Sequence, residues 1–130
     1  MSELKGTKHG ALHNSREAFA YAAEQGVDVR YPMANELFID IDNDAAYNTF
    51  NDNFSLLHDM MPGYVSFVES PSRRKKDGKH IVVTLPRNVT PLERIALQAA
   101  LGSDPRREAH SLRRYFAGDP LPTLFFEKRT

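Results

Sequence analysis

Glu36-Leu37-Phe38-Ile39-Asp40-Ile41-Asp42 is the stretch on which the fold turns. Side chains alternate across a β-strand with a period of two. Leu37, Ile39 and Ile41 therefore share one face, and Phe38, Asp40 and Asp42 share the other. Asn43-Asp44 stops the strand. Beyond it Ala46, Tyr47, Phe50, Phe54, Leu57 and Met61 recur at three and four, which predicts a helix over 45–61. Pro62-Gly63 breaks that helix, and Tyr64 to Val68 reads as a second strand. His80-Ile-Val-Val-Thr-Leu85 is a third strand. Its residues are nearly all β-branched or apolar, which predicts a central position.

Thr90-Pro-Leu-Glu93 is a capping box with proline at the first helical position. The helix it opens carries Leu92, Ile95, Ala96, Ala99 and Ala100 on its apolar face and ends at Gly102. Asp104-Pro105 opens a further helix with Ala109, Leu112 and Phe116 expected inward, and Gly118-Asp-Pro120 breaks it. Thr123-Leu-Phe-Phe-Glu127 is the last strand. Upstream, Ser15 is placed to cap a helix running to Gln25, with Ala18, Phe19, Ala22 and Ala23 as its apolar face and Gly26 at its end. Val27 to Met33 reads as a short strand or as an extended connection. Residues 1–14 are polar and expected to be loose. The expectation is one α+β domain over residues 1–130. Its core, about 36–127, is RRM-like (ferredoxin-like), in the order β-α-β-β-αα-β, with an extra N-terminal helix.

Composition supports a packed domain. The chain has 130 residues, 41% hydrophobic, with eight Phe and five Tyr, which argues against global disorder. No apolar run approaches the roughly 18–20 residues of a membrane span, so no membrane partner is expected. The first residues lack the apolar core of a secretory signal, and a cytoplasmic location is the expectation. Cysteine is absent, which excludes disulfides, thiolate zinc sites and cysteine nucleophiles.

The formal charge is zero, from 17 Lys+Arg and 17 Asp+Glu, but the charges are segregated. Residues 34–61 hold Glu36, Asp40, Asp42, Asp44, Asp52 and Asp59 and no Lys or Arg. Residues 70–80 hold Arg73, Arg74, Lys75, Lys76 and Lys79 against Asp77. Carboxylates that take a cation beside cations that take phosphates make a metal–phosphate site. A solvated surface with scattered charge is the plainer reading of the same pattern.

In the expected topology the first and third strands are antiparallel neighbours. The Asp40/Asp42 end then lies close to His80, with the basic loop 71–79 over the same edge. Asp40 and Asp42, two apart on a strand, point the same way at roughly 6.6–6.8 Å. Their mutual repulsion is relieved by a divalent cation, which also bridges to phosphate oxygens. His80 is a candidate phosphate or metal contact. Asp104 is a helix N-cap by its setting and a candidate third acid; Glu127, at the end of the last strand, is its rival. Arg106 and Arg107 are placed to meet a triphosphate.

The run Leu37-Phe-Ile-Asp40-Ile-Asp42, then Gly78-Lys-His80-Ile-Val-Val, then a later acid, resembles the archaeo-eukaryotic primase (primase-polymerase) superfamily. The stretch from Leu85 to Glu108 is similar to small phage- and prophage-encoded members. Gly78 stands at the small-residue position that is usually serine. The resemblance implies metal-dependent nucleotidyl transfer from nucleoside triphosphates on a single-stranded DNA template, in DNA replication. Asp40 and Asp42 would hold Mg²⁺ or Mn²⁺, completed by Asp104 or Glu127. His80 and Lys79 would contact the nucleotide's phosphates. Arg73, Arg74, Lys75 and Lys76 would hold nucleic acid by backbone charge. The location implied is the cytoplasm of a bacterial host. The chain is short for an independent polymerase, which points to a helicase or second-subunit partner. The competing classes are a non-catalytic RRM-like nucleic-acid-binding accessory protein and a metal-dependent nuclease built on the same acids. The third strand has no Phe or Tyr, which counts against an RRM-type binder.

Overall fold

The computed structural model describes residues 15–72 and 77–128. It is a mixed α+β fold. Helix α1 (Ser15–Gln25) leads into strand β1 (Val27–Arg30). Strand β2 (Glu36–Ile41), helices α2 (Asp44–Phe54) and α3 (Leu56–Met60), and strands β3 (Ser66–Pro71) and β4 (Lys79–Thr84) follow. Helices α4 (Pro91–Ala100) and α5 (Pro105–Phe116) and strand β5 (Phe125–Lys128) complete it. The order of elements from Glu36 onward is the one expected from the sequence.

A three-stranded antiparallel sheet runs in the order β2-β4-β3, so the apolar strand is indeed central. The β2–β4 register sets Phe38 opposite Val82 and Asp40 opposite His80. One sheet face carries Leu37, Ile39, Ile41, Ile81 and Val83. These pack with Phe50 and Leu57 from the helices below, and with Met61, Val65 and Leu101, into the main core. Burial of these apolar side chains is the dominant favourable term in folding. Asn43 starts α2 by accepting the Ala46 N–H at 2.9 Å. The single helix expected over 45–61 is divided at Ser55, so α3 turns separately and brings Leu57 into the core. The second strand lies at 66–71 rather than 64–68; Tyr64 precedes it and is exposed.

The last strand does not join this sheet. β5 pairs antiparallel with β1, forming a separate two-stranded sheet, with Asp28 opposite Glu127. Helix α1 packs on that ribbon through Ala18, Tyr21 and Ala22, against Val27, Leu124 and Phe126. Phe19, expected inward, is exposed. The segment 27–33, open to two readings from sequence, supplies the strand that β5 needs.

The reason is at the outer edge of β2. A strand there must satisfy outward-facing N–H and C=O groups. The α4–α5 segment does so with side chains and one backbone N–H. Arg94 Nε donates to the Glu36 carbonyl at 2.8 Å. The Phe38 N–H donates to Gln98 Oε1 at 2.8 Å, and Arg107 donates to the Phe38 carbonyl. The Asp40 N–H donates to Ser103 Oγ at 3.0 Å, and the Asp104 N–H donates to the Asp40 carbonyl at 2.8 Å. The place of a fourth strand is taken by a helical hairpin.

The same requirement reverses the helix faces expected from hydrophobicity. α5 buries Arg107, Glu108, Ser111 and Arg114, while Ala109 and Phe116 face out. α4 buries Arg94 and Gln98 beside Ile95, and Leu92 is exposed. Arg114 donates to the Pro122 carbonyl, and burial pushes its guanidinium down to about 10.

Candidate metal and phosphate site

Asp40 stands near the end of β2 and Asp42 just beyond it, and Asp104 arrives from the turn before α5. One carboxylate oxygen from each lies within 4.8 Å of the others, and all three residues are half-buried. Three hard oxygen donors at this spacing suit a hard divalent cation. Without a cation, three carboxylates this close repel one another. Three such carboxylates could hold a metal ion.

Asp104 fills two roles at once. Its Oδ1 accepts the Arg106 N–H at 3.0 Å as the α5 N-cap, and its own N–H holds the Asp40 carbonyl. Of the two candidate third acids, Asp104 lies in the cluster with Asp40 and Asp42. Glu127 lies in the β1–β5 ribbon, where Arg30 Nη1 donates to its Oε1 at 3.2 Å.

His80 stands across from Asp40 with Nε2 3.7 Å from Asp40 Oδ1. Its ring lies flat on Phe125, with centroids 4.0 Å apart and planes 2° apart. Phe125 also stacks on Phe38 at 4.5 Å. The short β5 ribbon thus covers the Phe38 side of the sheet face and fixes the plane of the imidazole. Phe125 was not among the residues singled out from sequence; an aromatic pair in a terminal strand was the available signal.

Lys79 precedes His80 and lies over the Tyr47 ring at 4.9 Å. Tyr47 Oη donates to Glu69 Oε2 at 2.8 Å, and that bond raises the phenol above its ordinary value. Asp44, Glu69, Ser70, Pro71, Asp77, Gly78 and Lys79 line a cavity beside this group. Arg106 is exposed on the first turn of α5. Arg107, expected to meet phosphate beside it, is instead buried. Its guanidinium is committed to Glu108 at 2.6 Å, to the Phe38 carbonyl and to the Leu124 carbonyl at 3.2 Å. A buried Arg charge needs such a set of acceptors, and an exposed phosphate cannot replace them. Arg73, Arg74, Lys75 and Lys76 lie outside the described residues.

Sequence reasoning missed Arg94 and Gln98, which bond the edge of β2 at Glu36 and Phe38, and Ser103 and Glu108, which lie behind Asp40. A polar stripe at helical spacing, 94 and 98, then 107, 111 and 114, was the signal for Arg94 and Gln98; Ser103 and Glu108 fall outside it.

Comparison of the chain with protein-family models, with curated proteins and with solved structures finds no match. Among the described residues no helix is long and apolar enough to cross a membrane.

Proposed function

We propose that this chain is a metal-dependent nucleotidyltransferase of the archaeo-eukaryotic primase-polymerase type. It would make or extend primers on single-stranded DNA, in the cytoplasm of a bacterial host. The observation that carries the reading is the meeting of Asp40, Asp42 and Asp104 from two distant segments, beside His80. The antiparallel order β2-β4-β3 supports an RRM-like core in which the α4–α5 hairpin replaces a fourth strand.

Asp40, Asp42 and Asp104 would hold Mg²⁺ or Mn²⁺, which, when bound, stabilises charge developing on phosphoryl, attacking and leaving oxygens. His80, held flat by Phe125, aims an N–H at a phosphate oxygen near the acids. Arg106, exposed on the first turn of α5 two residues after Asp104, would neutralise phosphate charge there; Lys79, expected to share that contact, lies over Tyr47 on the opposite sheet face. The basic segment 73–76 would hold the template backbone without reading bases. A helicase or second subunit would extend the chain's grip on the template.

A stacking platform of the RRM type is the weaker reading. Phe38, the aromatic on the relevant face of β2, is fully buried under Phe125. The test is primer synthesis on a single-stranded template with labelled nucleotides and Mn²⁺. Wild type should extend, and Asp40→Asn with Asp42→Asn should not. Degradation of labelled DNA without added nucleotides would instead select the nuclease. Nucleic-acid binding with neither activity would select the accessory protein.

A further inference from the structure

The backbones of two of the three acids are joined in a closed ring of hydrogen bonds. The Asp40 N–H donates to Ser103 Oγ at 3.0 Å. The Ser103 hydroxyl donates to Glu108 Oε2 at 2.7 Å. The Glu108 N–H donates to the Asp104 carbonyl at 3.0 Å, and the Asp104 N–H donates to the Asp40 carbonyl at 2.8 Å. Glu108 is buried, and its two oxygens accept from Gln98, Ser103 and Arg107. A buried carboxylate with both oxygens engaged by donors is fixed in place.

We infer that Ser103 and Glu108 are positioning residues that set the separation of the Asp40 and Asp104 carboxylates for divalent-cation binding. The inference rests on the metal reading above. The Ser103 hydroxyl has one hydrogen, and Glu108 accepts it. The Ser103 oxygen therefore accepts, from the Asp40 N–H and, at 3.4 Å, from Arg107 Nη1. Alanine at Ser103 leaves that N–H without its acceptor and Glu108 short of one donor. The ring opens, and Asp40 is held to the α4–α5 turn by the Asp104 N–H. Groups behind metal ligands commonly change affinity by about 10- to 100-fold.

The test is Mn²⁺ titration by electron paramagnetic resonance, well below each variant's Tm, on wild type, Ser103→Ala and Ser111→Ala. Ser111 is an equally buried serine of α5, bonded to Arg114 at 3.3 Å and outside the ring. The expected result is Mn²⁺ binding weakened about tenfold or more in Ser103→Ala. Ser111→Ala should lower Tm and keep wild-type affinity. A folded Ser103→Ala with wild-type Mn²⁺ affinity overturns the inference and leaves the metal reading standing. A wild type that binds no Mn²⁺ overturns both. Should Ser103→Ala not fold, amide spectra of wild type with Mg²⁺ decide. Linked perturbation of Asp40, Ser103, Asp104 and Glu108 amides supports the ring, and perturbation that stops short of Ser103 and Glu108 overturns it.

Discussion

Asp104 donates its backbone N–H to the backbone carbonyl of Asp40 across 2.8 Å, although the two residues are 64 positions apart in the chain. That bond puts a helix N-cap and a strand end side by side. It explains how one aspartate can cap α5 and still face Asp40 and Asp42. One carboxylate oxygen from each of the three acids sits within 4.8 Å of the others, a spacing at which like charges repel.

Asp104→Asn should therefore change stability and binding in opposite directions. Asparagine caps a helix as well as aspartate does, so the α5 start is kept while one charge is removed. With a chelator present the variant should melt higher than wild type. Partly exposed charge pairs of this kind are worth on the order of 1 kcal/mol, or a few degrees in Tm. Its Mn²⁺ affinity should fall at the same time. A variant that melts lower in chelator would show that the cluster carries no repulsion to relieve.

Gly102→Ala should be among the more damaging single-atom changes in the chain. Gly102 has φ +85°, and a Cβ there would lie 2.7 Å from the Ala46 carbonyl oxygen and 3.2 Å from Thr49 Cβ. Backbone strain at such a position costs of order 1–3 kcal/mol before the clash with α2 is counted. The turn that carries Ser103 and Asp104 must shift, so Tm and Mn²⁺ affinity should fall together. Thermal melts with and without Mn²⁺ measure both.

How much of this was legible in the sequence depends on the kind of signal each residue carries. The β2 pattern, the Thr90–Glu93 capping box and the apolar β4 strand are local, and each stands in the structure where the sequence places it. The Asp40–His80 juxtaposition follows from topology once those strands are read. The inward face of α5 was not legible from hydrophobicity. Ala109, Leu112 and Phe116 looked like a core stripe, but the hairpin docks on a strand edge that needs polar partners. Arg107, Glu108 and Ser111 go inside for that reason. The pairing of β5 with β1 was hidden likewise, because the edge it would have joined is filled by side chains from a helix.

His110 should make the folded state weaker in mild acid. Burial lowers its pKa below the ordinary histidine value, with Arg113, Arg114 and Arg106 adding to the effect and Asp104 opposing it. The folded-state value lies below the unfolded one, so the unfolded chain binds more protons in that window. Stability is then intact above the unfolded value of about 6.5 and declines as pH falls below it. Wild type should lose more Tm between pH 7.5 and 5.5 than His110→Gln does. Equal losses in the two proteins would remove His110 from the account.

Phe125→Leu should separate the packing role of β5 from its service to His80. The Phe125 ring is stacked on both Phe38 and His80 and is almost fully buried. Leucine keeps most of the apolar volume but loses the flat contact. The expected cost is about 1–2 kcal/mol, from lost aromatic pairing and imperfect refilling of the site. Nucleotide affinity in the presence of Mn²⁺ should fall as well, because the imidazole is no longer held in plane. Repeating the change in a His80→Ala background distinguishes the two effects. If Phe125 acts on the nucleotide through His80, its substitution there should leave the remaining affinity unchanged and still lower Tm. If the affinity drops by the same factor in both backgrounds, Phe125 acts on the site by another route, since independent effects add and coupled ones do not.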